Sequence, residues 1–190
     1  MTRVATHDGA QRFEAFDKQL KELAELDPLK EINARSSHAS QVITFHLVFE
    51  YLVEKWIDYK VNGGAPVFRG IEKIGFFNKL YIAKNLGLPK EIFEVLDAVN
   101  AQRNKFAHQL TKSEVERKDI FALEKLADSI DCRGAKVSEL RLMDEGREVT
   151  VSETTPSRAL LLLVLHAVFG KLRNFVFYDI YQHNSRPLNC

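Results

Sequence analysis

The stretch that most limits what this chain can fold into is Ala159 to Phe169, where only His166 is polar. Thr155-Pro156 begins a helix that is expected to run to about Tyr181. From Leu160 to Phe169 that helix is apolar almost all round. A helix with no face suited to water lies centrally in a bundle or at a subunit interface. The run itself falls far short of the roughly 20 residues that a membrane span needs, so it is read as core or interface.

The rest of the chain offers helices to surround it. Phe13, Phe16, Leu20 and Leu23 recur at three or four residues and share a face; Asp27-Pro28 ends that segment, because proline lacks an amide to donate. A long second helix is expected from about Leu29 to Tyr59. Its stripe is Val42, Phe45, Phe49, Leu52, Val53, Trp56 and Ile57, with Leu47 and Val48 lying off it, which makes the helix apolar on more than one side. Asn62-Gly63-Gly64-Ala65-Pro66 is a loop. A third helix is expected over about Ile71–Leu86, closed by Gly87. Pro89 then occupies the first turn of a fourth, which continues to about Leu110. A fifth is expected from Ser113 to about Ile130, with Ser113 as N-cap and Glu116 three residues on.

Between Lys136 and Glu153 the periodicity changes. Val137, Leu140 and Leu142, then Asp144-Glu145-Gly146, then Val149 and Val151 read as a short hairpin. The fold class is therefore all-α: an up-and-down helical bundle of five to six helices with a small β-hairpin insertion at about 136–153, forming one domain across residues 1–190.

At 190 residues such a chain buries roughly 70% of its unfolded surface and needs no staple. Cys132 and Cys190 belong to no CxxC or Cys/His cluster, so neither a metal nor a cofactor is expected, and both read as reduced thiols. The formal charge of +1 counts against a protein living on non-specific duplex binding. The polar first ten residues contain no apolar core of a signal peptide. The expectation is a cytoplasmic protein with no membrane association.

One hexapeptide carries chemistry: Arg103-Asn104-Lys105-Phe106-Ala107-His108. On a helix, Ile92, Leu96, Val99, Phe106 and Leu110 form one stripe, and Arg103 falls in its middle. An unpaired guanidinium against a core costs several kcal/mol, so Arg103 must find a carboxylate or face a groove. Glu50 and Glu54 are the candidate partners. His108 lies about 140° round the helix from Arg103. It shares a face with Asn104 instead, whose amide could fix the imidazole. An Arg-Asn pair with His five residues after the Arg is expected about 0.02 times by chance in a chain of this content. Two readings stay open here: a buried structural Arg103 with an ordinary surface His108, or a site.

Arg103-Asn104 followed by His108 near the end of a bundle helix resembles the R-x4–6-H signature of the HEPN superfamily. Phe77-Asn78-Lys79-Leu80, Asn85-Leu86-Gly87-Leu88 and Asn100 are similar to HEPN-like proteins around the mannitol operon repressor. The likeness covers about Leu29 to Leu110 and leaves the Lys136–Glu153 excursion unmatched. It implies a helical bundle that dimerises with two motifs across a shared cleft, and a metal-independent endoribonuclease. His108 would be the general base or acid for attack of an RNA 2′-hydroxyl on the adjacent phosphate. Arg103 would stabilise charge on the phosphorane, and Asn104 would orient the groups. Leu110 departs from the family's toxins, which often carry Tyr two residues after the His. The alternative is a non-catalytic HEPN-like regulator that binds a protein or nucleic-acid partner or inhibitor, with a structural Arg103.

The other polar residues read more plainly. His46 and His166 are expected as hydrogen-bonded core or interface histidines. Arg173-Asn174 has no His at the required spacing. Lys79, Lys84, Lys105 and Lys112 read as a solvated helix surface in preference to a basic rim for phosphate, and Phe177, Tyr178 and Tyr181 as packing in preference to base stacking.

Overall fold

The apolar run at Ala159–Phe169 is the axis of the molecule. A computed structural model describes residues 21–22, 25–71, 73–108, 114–131, 134–144 and 147–185. Among them are five α-helices: α1 (His38–Asn62), α2 (Phe76–Asn85), α3 (Lys90–His108), α4 (Arg117–Ser129) and α5 (Ser157–Ser185). Strands β1 (Leu142–Asp144) and β2 (Arg147–Val149) pair antiparallel, with Leu142 opposite Val149. The all-α bundle with a small hairpin between its last two helices is what the structure has. The expected helix at Phe13–Leu23 lies largely outside the described residues.

Along α5, Leu160, Leu161, Leu163, Val164, Leu165, Val168 and Phe169 are all buried, pointing in every direction. The chain's own helices cover them: α1 and α4 flank α5, and α3 lies between α1 and α4. Phe45 meets Phe169 edge-on, and Trp56 packs on Phe175. Of the two places open to an all-apolar helix, α5 takes the centre of its own bundle, so its apolarity no longer argues for a subunit interface. Taken as a whole, Ser157–Tyr181 is long and apolar enough to cross a membrane, more than the run alone suggested, yet 67% of its most apolar window is packed inside the fold.

Three element boundaries depart from the sequence pattern. The second helix starts at His38, not Leu29. Asn33 Oδ1 accepts from the amides of Arg35 and Ser36, a turn that competes with helix, and Ser37 Oγ then caps α1 by accepting from the Ser40 amide. The third starts only at Phe76, after Gly75. The fifth starts at Arg117, with Glu116 as N-cap residue; Ser113, the expected cap, lies outside the described residues. Helix ends follow glycine as expected. Gly63 takes φ 58° to end α1, and Gly87, at φ 97°, follows α2 while Leu88 N–H returns to Ala83 O.

The polar ties give the helix directions. His46 meets Asn100 and His38 meets Val115, so α3 runs back along α1. Gln102 meets Asp119, so α4 turns back along α3. Arg117 bonds the carbonyl of Thr155, and Lys171 that of Ala127, so α5 runs parallel to α4. The hairpin excursion thus carries the chain back to where α4 began, refining the up-and-down expectation in its last step. As a result, one end of the bundle holds the C-terminus of α3 and the starts of α1, α4 and α5.

Leu52 and Leu47 sit on one helix, one fully buried and the other 61% exposed. Leu52→Ala is expected to cost about 3 kcal/mol of unfolding free energy and Leu47→Ala less than about 0.5 kcal/mol. Denaturant titration of the two variants checks this; equal costs would contradict the placement of α1.

Candidate functional site

The fourth sequence helix brings the hexapeptide to the bundle end. In α3, Ile92, Val95, Leu96 and Val99 are buried, and so are the polar Asn100 and Gln102. From there the helix emerges: Arg103, Asn104, Ala107 and His108 are exposed, with Lys105 and Phe106 half-buried. His108 is its last residue.

Arg103 is therefore not the buried structural cation that one of the two sequence readings made it. The buried face of α3 leans towards α4, so Gln102 turns inward where the ideal stripe placed Arg103, and Gln102 Nε2 donates to Asp119 Oδ2 at 3.2 Å. Arg103 instead donates from Nη1 to Asn104 Oδ1 at 3.2 Å. Nor does Arg103 pair with Glu50 or Glu54. Those carboxylates are held by Lys79 of α2, which donates to Glu50 Oε1 at 2.6 Å and also to Glu54 Oε1. The desolvation problem foreseen for Arg103 belongs to Lys79, 6% exposed. Burial pushes its ammonium pKa down, and the two carboxylates more than reverse this, leaving it above the ordinary lysine value.

Asn104 takes its hydrogen bond from Arg103 and not from His108. The imidazole of His108 has no hydrogen-bond or ion-pair partner among the described residues. Arg103 and His108 point to different sectors of the helix end, about 140° apart on an ideal helix. One chain displays both groups without bringing them together.

The hexapeptide is braced on both flanks. Towards α1, His46 Nε2 donates to Asn100 Oδ1 at 3.1 Å, and its ring stands edge-on to Phe76 at 4.7 Å. His46 is thus the hydrogen-bonded core histidine expected. Burial holds its pKa below the ordinary imidazole value, against the Asn100 bond and Glu50, with Arg103 and Lys79 adding to the depression. Towards α4, Lys105 lies 3.7 Å from the Asp119 carboxylate that Gln102 also reaches. The Nδ1 of His166 is buried without a partner among the described residues, beside a recess of about 420 Å³ that Lys30, Phe169 and Arg173 help to line.

The four lysines read as a solvated surface have separate fates. Lys79 is buried; Lys84 stands over the rings of Tyr81 and Phe93; Lys105 pairs with Asp119; Lys112 lies outside the described residues. Phe177 packs against the core, whereas Tyr178 and Tyr181 are exposed on α5. No group of three or more His, Cys, Asp or Glu that could hold a metal occurs among the described residues. The Lys79 pair and a buried His38 were missed from sequence. Lys79 stands between Asn78 and Leu80 with no local sign of burial, and its carboxylates lie a helix away.

Compared with models of known families, with characterised proteins and with solved structures, the chain matches none.

Lys79→Ala leaves two half-buried carboxylates facing each other and is expected to cost about 3 kcal/mol, read by thermal or denaturant unfolding; a cost near zero would contradict the pairing. The histidines give a pH dependence with a definite sign. His38, His46 and His166 are each held below 6.5, with burial the first cause. The unfolded chain therefore takes protons before the folded one. Their contribution is full above about pH 6.5 and is lost as pH falls from there towards the folded values. A urea midpoint at about pH 5.5 that equals or exceeds the one at about pH 7.5 would contradict it.

Proposed function

We propose that this protein is a HEPN-like, metal-independent endoribonuclease that acts as a cytoplasmic homodimer, with Arg103, Asn104 and His108 of two chains lining one cleft. The observation that carries the reading is the exposure, on the last turns of one helix, of a guanidinium bonded only to its neighbour Asn104 and an imidazole with no partner, both among the described residues. A buried structural arginine would be paired or packed. An exposed one with no carboxylate partner among the described residues keeps most of its forked donors for phosphate oxygens.

The division of labour follows from the groups. An imidazole can both accept and donate a proton, so His108 can take the proton of an RNA 2′-hydroxyl as that oxygen attacks phosphorus, or return one to the leaving 5′-oxygen. Arg103 meets the charge gathering on the non-bridging oxygens. Asn104 holds Arg103 Nη1 at 3.2 Å and so restricts where that cation points. Because Arg103 and His108 diverge within one chain, a second chain supplies the simplest way to place a phosphate between them. The starts of α1, α4 and α5 at the same end add the positive ends of three helix dipoles, which favour an anion.

A second reading keeps the same surface but removes the chemistry: a regulator that binds a nucleic-acid or protein partner through Arg103 and Asn104. The flanking braces at His46–Asn100 and Asp119 suit either.

Purified protein incubated with mixed RNA in EDTA is expected to cleave it, and His108→Ala to lose at least about 100-fold of that rate. Cleavage that survives the substitution, or intact RNA throughout, removes the nuclease reading. Arg103→Ala is expected to lose activity while changing stability by less than about 0.5 kcal/mol; strong destabilisation would return Arg103 to a structural role.

A further inference from the structure

His38, the first residue of α1, is 1% exposed. Its Nδ1 accepts a hydrogen bond from the backbone amide of Val115 at 2.8 Å. An accepting Nδ1 carries no proton, so the neutral ring is the Nε2–H tautomer. Nε2 is buried too, and faces the backbone at Ser157 without closing a hydrogen bond.

Val115 is itself only 2% exposed and belongs to the strap of residues 114–116 that leads into α4. Two further ties hold this strap at the bundle end. Glu114 lies 3.9 Å from Arg158 of α5, and Arg117 donates to the carbonyls of Thr155 at 2.9 Å and Glu153 at 2.8 Å. Neither tie involves an imidazole.

We propose that the His38–Val115 bond is an acid-operated latch on this strap, closed at neutral pH and opened when the ring takes a second proton. That proton lands on Nδ1 and turns the acceptor into a donor. Two N–H groups then face each other at the distance of the former bond, in a place where no water can take either of them. The bond is lost and the strap is held by its two other ties, loosened but not detached.

The charged groups facing His38 set where this happens. Glu114, on the strap, favours the second proton; Arg158, on α5, opposes it. Burial opposes it most, and the net effect lies below the ordinary imidazole range. The latch is thus shut in a neutral cytoplasm and opens in moderate acid. It stands whether or not the motif cleaves RNA.

Amide hydrogen exchange of the intact protein, followed residue by residue by NMR and corrected for intrinsic rates, tests it. From about pH 7 to about pH 5, exchange at Val115 is expected to rise about tenfold more than at the core amides of Leu52 and Leu163. In His38→Gln, whose amide oxygen accepts a hydrogen bond at every pH, that excess disappears. Val115 rising only in step with the core, or the same excess in His38→Gln, overturns the latch. So does an imidazole nitrogen spectrum of the unaltered protein at neutral pH that shows the proton on Nδ1. That last reading needs no variant, so it decides the matter even if His38→Gln folds poorly.

Discussion

Burial of α5 is the constraint on which the rest depends. A helix apolar on every side from Leu160 to Phe169 must be enclosed, and no single partner can do it. Helix α1 presents Phe45, Phe49 and Trp56 to it, and α4 adds Ile120, Leu123 and Ala127 to the same core. With these three helices fixed, α3 is held by α1 on one side and α4 on the other, and α2 crosses the outside of α1 and α3. The position of the hexapeptide follows, because its helix can lie only in the groove that α1 and α4 leave. Its last turns then project where the other long helices begin.

The polar interior is organised around that groove. Helices packed only through leucine and phenylalanine can slide or rotate against each other at low cost. A buried His46–Asn100 bond and a Lys79 held between Glu50 and Glu54 allow one register, because any other leaves a buried polar group without its partner. The ties between α1, α2 and α3 sit within a few turns of Arg103, and Asp119 secures the opposite flank. The exposed motif thus stands on a stiff base, which suits the proposed role, because side chains acting on a phosphate need a fixed geometry.

Much of this was legible in the sequence. Stripe residues Val42, Phe45, Phe49, Leu52, Val53, Trp56 and Ile57 are all buried, because helical periodicity reports burial directly. The hairpin was legible because valine alternation around Asp-Glu-Gly suits no helix. Arg103 was misplaced for a reason that generalises: a wheel gives a residue's angle but not where the neighbouring helices stop or lean. Near a helix end, a stripe position can be solvent. The start of α1 was hidden by side-chain turns at Asn33 and Ser36, which periodicity does not register. Lys79 and His38 were hidden because a buried polar group is recognised by its partners, and those partners are distant in the chain. The motif's chemistry came from residue types and a family resemblance, while its exposure came only from the fold.

The most direct measurement is an NMR titration of the isotope-labelled protein in EDTA with an RNA oligonucleotide whose 2′-hydroxyls are methylated, so that it binds without being cut. If Arg103, Asn104 and His108 form the RNA site, the Arg103 guanidinium and His108 imidazole resonances shift with the added oligonucleotide, and those of His166, on the helix at the centre of the bundle, do not. Binding that leaves Arg103 and His108 unmoved, or no binding at all, would contradict the placement of the functional site on this helix end.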